Sequence, residues 1–168
     1  MKTLRMPTLI FLACCIGLLA YLACSAPLLP ERMATHFGAG GQPNGWMKRS
    51  TYLAFFGAVG VGLPLLFVAF SLIVRFVPVQ FINIPDREYW LGPEHREETS
   101  AYISQQLLWV GCLQVLFLGG SHFLTIQANH SAPVRLPMAG FLTVLGCFVA
   151  ANAIWAFTFI RHFRKKAR

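Results

Sequence analysis

Four stretches of this chain, residues 7–29, 51–77, 107–126 and 137–160, carry no Asp, Glu, Lys or Arg apart from Arg75 at the end of the second. A helix that crosses a bilayer needs about 20 mostly apolar residues, and each run reaches that length. The rest of the composition agrees: 56% of residues are hydrophobic and 12% charged, against about 25% charged in soluble domains. The expected fold is an all-α membrane protein, one domain over residues 1–168 with four transmembrane helices.

The first run, after "MKTLR", also has the outline of a secretory signal. Its apolar stretch is longer than a usual signal core, and Pro27 sits badly beside a cleavage point, so an uncleaved helix is expected. Orientation follows from the Lys and Arg flanking the runs. With both termini cytoplasmic, ten basic residues lie inside (Lys2, Arg5, Arg75, Arg87, Arg96, Arg161, Arg164, Lys165, Lys166, Arg168) and four outside (Arg32, Lys48, Arg49, Arg135). This threading makes residues 30–50 an extracytoplasmic loop and residues 78–100 a cytoplasmic one, in a multi-pass protein of the cell inner membrane.

The net charge of +8 does not point to nucleic acid, because the basic residues flank apolar runs instead of forming an aromatic-interleaved patch. Cys14, Cys15, Cys24, Cys112 and Cys147 all fall inside apolar runs without metal-ligand spacing, and read as small packing residues. No phosphate-binding glycine loop, nucleophile elbow or HExxH pattern occurs. No catalytic residue, cofactor or metal is expected.

The outer loop, "MATHFGAGGQPNGWMKRS", is rich in turn formers: Gly38, Gly40, Gly41 and Gly45 with Pro43 and Asn44. It reads as a short ordered cap. Trp46 suits the headgroup layer at the entry to the second span. Glu31, Thr35 and His36 are candidates for a small polar site that binds a ligand or senses pH, since an unperturbed imidazole titrates at about 6.5. The competing reading is that His36 only hydrogen-bonds the turn.

Leu29-Pro30, Thr35-His36-Phe37 and Gly41-Gln42-Pro43-Asn44-Gly45-Trp46, placed after a first span, resemble the hallmark of the membrane domain of unknown function 1648. That domain also forms the N-terminal part of SdpI-type bacterial immunity and signalling membrane proteins. Gly38 stands where the pattern has a polar residue. "INIPDREYWLGPEHREET" at 82–99 is similar to the cytoplasmic loop of many such proteins. The resemblance implies a four-span protein acting in signalling, immunity or envelope stress through partners.

Gly92-Pro93 suits a helix start, with Glu94, Glu97 and Glu98 against the helix dipole and Glu94 and Glu98 on one face. That helix is expected to continue into the third span. His95 lies off the Glu94/Glu98 face, which argues against a metal site. Asp86, Arg87, Trp90, Glu94 and Arg96 are candidates for docking a partner. Within the spans, Gln114, His122 and Asn152 are polar. Gln114 and Asn152 fall at matching depth on neighbouring helices and are expected to hydrogen-bond to each other or to a shared water. Ala13/Gly17, Ala58/Gly62 and Gly146/Ala150 offer small-residue faces for close packing.

These readings give a non-enzymatic membrane protein working through partner contacts, with a small transporter or pore subunit as the alternative and a membrane enzyme using His36 as the third reading. Its surroundings are the lipid bilayer and a membrane or cytoplasmic protein partner, with self-association left open.

Overall fold

A computed structural model describes residues 2–164; Lys165, Lys166 and Arg168 of the terminal basic cluster lie outside the described residues, as do the side chains of Lys2, Arg5 and Arg75. The apolar runs form α1 (Lys2–Ser25), α2 (Arg49–Ile73), α4 (Arg96–His130) and α5 (Met138–Arg164), and a single turn, α3 (Arg87–Trp90), precedes α4. Each of the four long helices is long and apolar enough to cross a membrane. Together they give the chain the build of a multi-pass membrane protein.

α4 is the central element: α1, α2 and α5 all pack on it. Along α1, Phe11, Cys15, Leu18 and Leu22 recur at helical spacing on one buried stripe, facing Leu108, Cys112 and Val115 of α4. Glycines let the helices close up. A Cβ on Gly111 would stand 2.7 Å from the Phe11 ring, and one on Gly60 would stand 2.7 Å from Leu18. The small-residue faces singled out from spacing are not the ones used. A Cβ added at Gly17, Gly62 or Gly146 would meet nothing within 4 Å, so no helix packs closely at these positions.

The cysteines behave as packing residues: all five are free thiols, with Cys15 and Cys112 buried in the α1–α4 seam. α5 leans on α4 through Gly120 against Val144 and through Phe117 stacked on Phe148, with ring centroids 4.5 Å apart. Much of its opposite face, including Leu142, Val149, Ile154 and Phe157, is exposed.

The connection between α1 and α2 departs from the all-α expectation. β1 (Arg32–Phe37) and β2 (Pro43–Lys48) pair antiparallel, with Arg32 opposite Lys48, Met33 opposite Met47, Ala34 opposite Trp46 and His36 opposite Gly45. The register slips around Thr35 and Asn44, which are the extra residues of two bulges. Five residues close the hairpin: Gly38 N–H donates to the Gln42 carbonyl at 2.9 Å and Gly41 N–H to the Gly38 carbonyl at 2.8 Å. Gly41 has φ +77°, which a side-chain-bearing residue rarely adopts.

Beyond α2, residues 78–95 fold back over the opposite end of the bundle. There Ile84, Trp90, Leu91, Ile103 and Phe163 form a second core. α4 begins at Arg96, three residues later than Pro93 suggests. Gly92 marks the stop of α3, where a Cβ would stand 3.0 Å from the Glu88 carbonyl oxygen, and residues 93–95 form a turn. Glu94 therefore precedes the helix and shares no helical face with Glu98, whereas Glu97 and Glu98 do occupy the first turn. The helix runs without a break into the third span, as expected.

Candidate functional site

The hairpin is clamped to the bundle by polar contacts from three directions. The Asn129 side chain at the end of α4 accepts a hydrogen bond from Ala34 N–H and donates to the Ala34 carbonyl, both at 2.8 Å, and also donates to the Thr125 carbonyl at 2.9 Å. Its amide thus imitates one residue of a neighbouring strand. At the hairpin tip, Leu136 N–H donates to the Gly41 carbonyl at 2.8 Å and Arg135 Nε to the Gly40 carbonyl at 3.1 Å. At its base, Arg49 N–H donates to the Glu31 carbonyl and Arg49 Nη1 to the Leu29 carbonyl, while His130 Nε2 donates to the Leu28 carbonyl at 2.6 Å. Met33 and Ala34 are wholly buried beneath this clamp.

Between the hairpin and the ends of α2, α4 and α5 lies a cavity of about 410 Å³. Its walls are largely apolar: Phe37, Met47, Phe55, Phe56, Leu136 and Phe141 among them. The polar wall residues are mostly occupied elsewhere. Ser121 and Thr125 donate their hydroxyl protons to carbonyls of their own helix, Phe117 and Ser121, at 2.9 Å each. Tyr52 directs its hydroxyl to His122 Nδ1 at 2.8 Å.

His122 has no exposed surface, yet it joins three helices. Its Nε2 lies 2.7 Å from Ser25 Oγ at the end of α1, while Tyr52 of α2 holds Nδ1. Ser25 also donates to the Leu22 carbonyl, so one arrangement satisfies all three groups: Nε2–H donates to Ser25 and Nδ1 accepts from Tyr52. Tyr21, Tyr52 and Phe56 enclose the imidazole with centroid distances of 5.0, 5.6 and 5.6 Å.

His36 lines the cavity from β1 and is exposed. Its Nδ1–H donates to Asn44 Oδ1 at 2.6 Å, which leaves the lone pair of Nε2 available. Gly45 is the residue opposite because a Cβ there would stand 2.8 Å from His36 Cβ. Thr35 shares the cavity edge, but Glu31 does not belong to the site. It precedes the strand and lies five extended residues away, roughly 16 Å at about 3.3 Å each. Asn44 takes the place given to Glu31 as the partner of His36. Trp46, opposite Ala34, is 45% exposed.

The other singled-out groups separate as well. Trp90 is buried, donating Nε1–H to the Phe163 carbonyl at 2.9 Å and accepting the Thr99 hydroxyl at its own carbonyl. Its ring meets Phe163 edge-on, so it pins the end of α5 and presents no face to a partner. Arg96 reaches back to the Val77 carbonyl at 3.0 Å. Asp86, Arg87 and Glu94 are exposed. Gln114 and Asn152 make no direct hydrogen bond to each other: Asn152 donates to the Phe148 carbonyl of its own helix. The polar link between α4 and α5 is made instead by Trp155 Nε1–H to Gln106 Oε1 at 2.9 Å. Sequence reasoning passed over Asn129, Tyr52 and Ser25. The available signal was their shared position at the hairpin-side ends of the spans.

Fold and site together define a class: a multi-pass helical membrane bundle whose first connection is a β-hairpin clamped over one end. The family model described as Domain of unknown function (DUF1648) matches residues 9–61, which takes in most of α1, the hairpin and the first half of α2. The chain is also similar to an uncharacterised protein of Archaeoglobus fulgidus, 28% identical over 134 residues, covering 77% of this chain and 71% of the relative. No solved structure matches.

Proposed function

We propose that this chain is a non-enzymatic membrane protein that acts in signalling, immunity or envelope stress through contacts made at its hairpin end. The observation that supports this reading is the clamped hairpin roofing a 410 Å³ cavity. A rigid cap over a preformed recess suits recognition, because little ordering is needed on binding. The hairpin end faces outward in this proposal, on the ten-to-four distribution of Lys and Arg. The resemblance to SdpI-type proteins supports the immunity or signalling setting. Exposed Asp86, Arg87 and Glu94 at the other end are the cytoplasmic contact surface in this scheme.

A transporter or pore would need a continuous polar path. Beneath the cavity the interior is instead filled by Phe11, Cys15, Leu18, Leu108, Cys112 and Val115, which disfavours that alternative.

Two experiments test the proposal. A periplasm-active reporter fused after Asn44 or His130 is expected to be active, and after Glu94 inactive; activity at Glu94 overturns the threading. In a strain lacking the gene, challenged with membrane-active peptides and envelope stressors, the wild-type chain is expected to restore survival. Gly41→Val, which sets a side chain against the Leu136 carbonyl and frees the hairpin tip, is expected not to do so at equal membrane level. Survival unchanged by wild type under every challenge refutes the functional reading.

A further inference from the structure

The cavity under the hairpin divides its chemistry sharply. The hydroxyl protons of Tyr52, Ser121 and Thr125 are all engaged by the protein, so these residues contribute mainly ring and methyl or methylene surface. Phe37, Phe55, Phe56, Leu136, Met138 and Phe141 extend that surface. The three hydroxyl oxygens keep only acceptor lone pairs, and the side-chain polar atoms without a protein partner lie at one edge. There His36 offers Nε2, its Nδ1–H being held by Asn44, and Thr35 offers a hydroxyl for which no protein partner occurs among the described residues.

Position and size narrow the occupant further. Phe56 is seven residues into α2, about 10 Å below its start, so the recess sits at the headgroup and upper-chain level. A dry apolar cavity of about 150 Å³ accepts benzene; 410 Å³ has room for a much longer apolar body, yet not for a peptide helix about 10 Å across.

We infer that this cavity binds a single-chain amphiphile, its apolar tail among the aromatic walls and an oxygen-bearing head at His36 and Thr35. The inference deepens the recognition reading above and rests on it for treating the hairpin end as the site. A fatty acid and a fatty alcohol share the required chemistry, since a hydroxyl donates to Nε2 of neutral His36 and a carboxylate accepts from the protonated ring.

The test uses the full chain in nanodiscs, titrated with the fluorescent fatty acid cis-parinaric acid against empty discs. Dodecanoic acid, dodecanol and dodecane serve as competitors. One saturable site per chain is expected. Ala39→Trp, at an exposed position on the cavity mouth, and Ser121→Phe, within the wall, are each expected to weaken it at least tenfold. His36→Ala removes one hydrogen bond and is expected to weaken the acid and the alcohol by about threefold to tenfold, leaving competition by dodecane unchanged.

Circular dichroism and thermal melting establish that each variant remains folded, and Ala39→Trp lies outside the packed bundle. Absence of saturable binding overturns the inference, as does binding indifferent to both filling variants. An equal loss for dodecane and dodecanol in His36→Ala overturns the assigned head position. Failure of the survival assay with binding intact refutes the cellular role alone, and rescue without binding refutes the amphiphile alone.

Discussion

Replacing His122 by Phe keeps a ring between Tyr21, Tyr52 and Phe56 but removes both hydrogen bonds that tie α1 and α2 to α4. Interhelical hydrogen bonds in membrane proteins contribute about 0.6 kcal/mol on average and up to about 1.7. Two such bonds put the cost of His122→Phe at about 1–3 kcal/mol. Ser25 keeps the Leu22 carbonyl, so the larger share falls on Tyr52. Tyr52→Phe alone is expected to cost about 0.6–1.7 kcal/mol, and much less once His122 is already Phe. Equilibrium unfolding in mixed micelles of dodecylmaltoside and SDS, followed by helical circular dichroism, supplies the four stabilities of the cycle. Distant sites add within about 0.3–0.5 kcal/mol. Additivity of Tyr52→Phe and His122→Phe within that margin would refute the argument that the two side chains form one buried link.

Asn129→Leu removes three hydrogen bonds and leaves both polar backbone groups of buried Ala34 without the strand-like partner; amide exchange over residues 33–37 is expected to rise by at least tenfold, with α1 unaffected. Glycine substitutions should split by location. Gly111→Ala and Gly60→Ala are expected to cost about 1–3 kcal/mol through overpacking, whereas Gly17→Ala and Gly146→Ala, with open space at the Cβ, should be neutral or stabilise by up to about 1 kcal/mol in the same unfolding assay. Trp90→Ala, which empties the core beside Phe163, is expected to cost about 3–5 kcal/mol and to open residues 78–95 to limited proteolysis, while Glu94→Gln on the exposed turn should leave cleavage unchanged.

The spans were legible because hydropathy acts over twenty residues at a time, and no local detail can hide it. The cap was legible as turns but not as strands: its two bulges interrupt the alternation that announces a hairpin, and Thr35 and Asn44 are the residues out of step. His36 and its partner lay only eight positions apart, yet Glu31 drew attention as the charged neighbour. An extended strand carries residues five apart well out of reach of each other.

His122 was visible as a polar residue in a span, whereas its partners are 97 and 70 positions away and emerge only when three helices meet. Trp90 misled for a related reason. An aromatic beside a span reads as an interface residue unless it is known that the following chain folds back and brings the end of α5 against it. For Gln114 and Asn152, equal depth did not bring a direct hydrogen bond. Asn152 found a carbonyl one turn back on its own helix.

α4 runs unbroken for 35 residues, with Thr99 fastened to the α3 turn near one end and Asn129 fastened to the hairpin near the other. Thirty residues separate these two fastenings, about 45 Å at 1.5 Å per residue, which exceeds the hydrocarbon thickness of about 30 Å. The two fastenings therefore stand further apart than the hydrocarbon layer is thick, at about the 40–45 Å of a bilayer with its headgroups. A tilt of α4 by about 5° around its midpoint carries each fastening roughly 2 Å, in opposite directions, on this helical rise. If α4 moves as one rigid rod, a displacement of the hairpin is matched by an opposite displacement of the α3 turn.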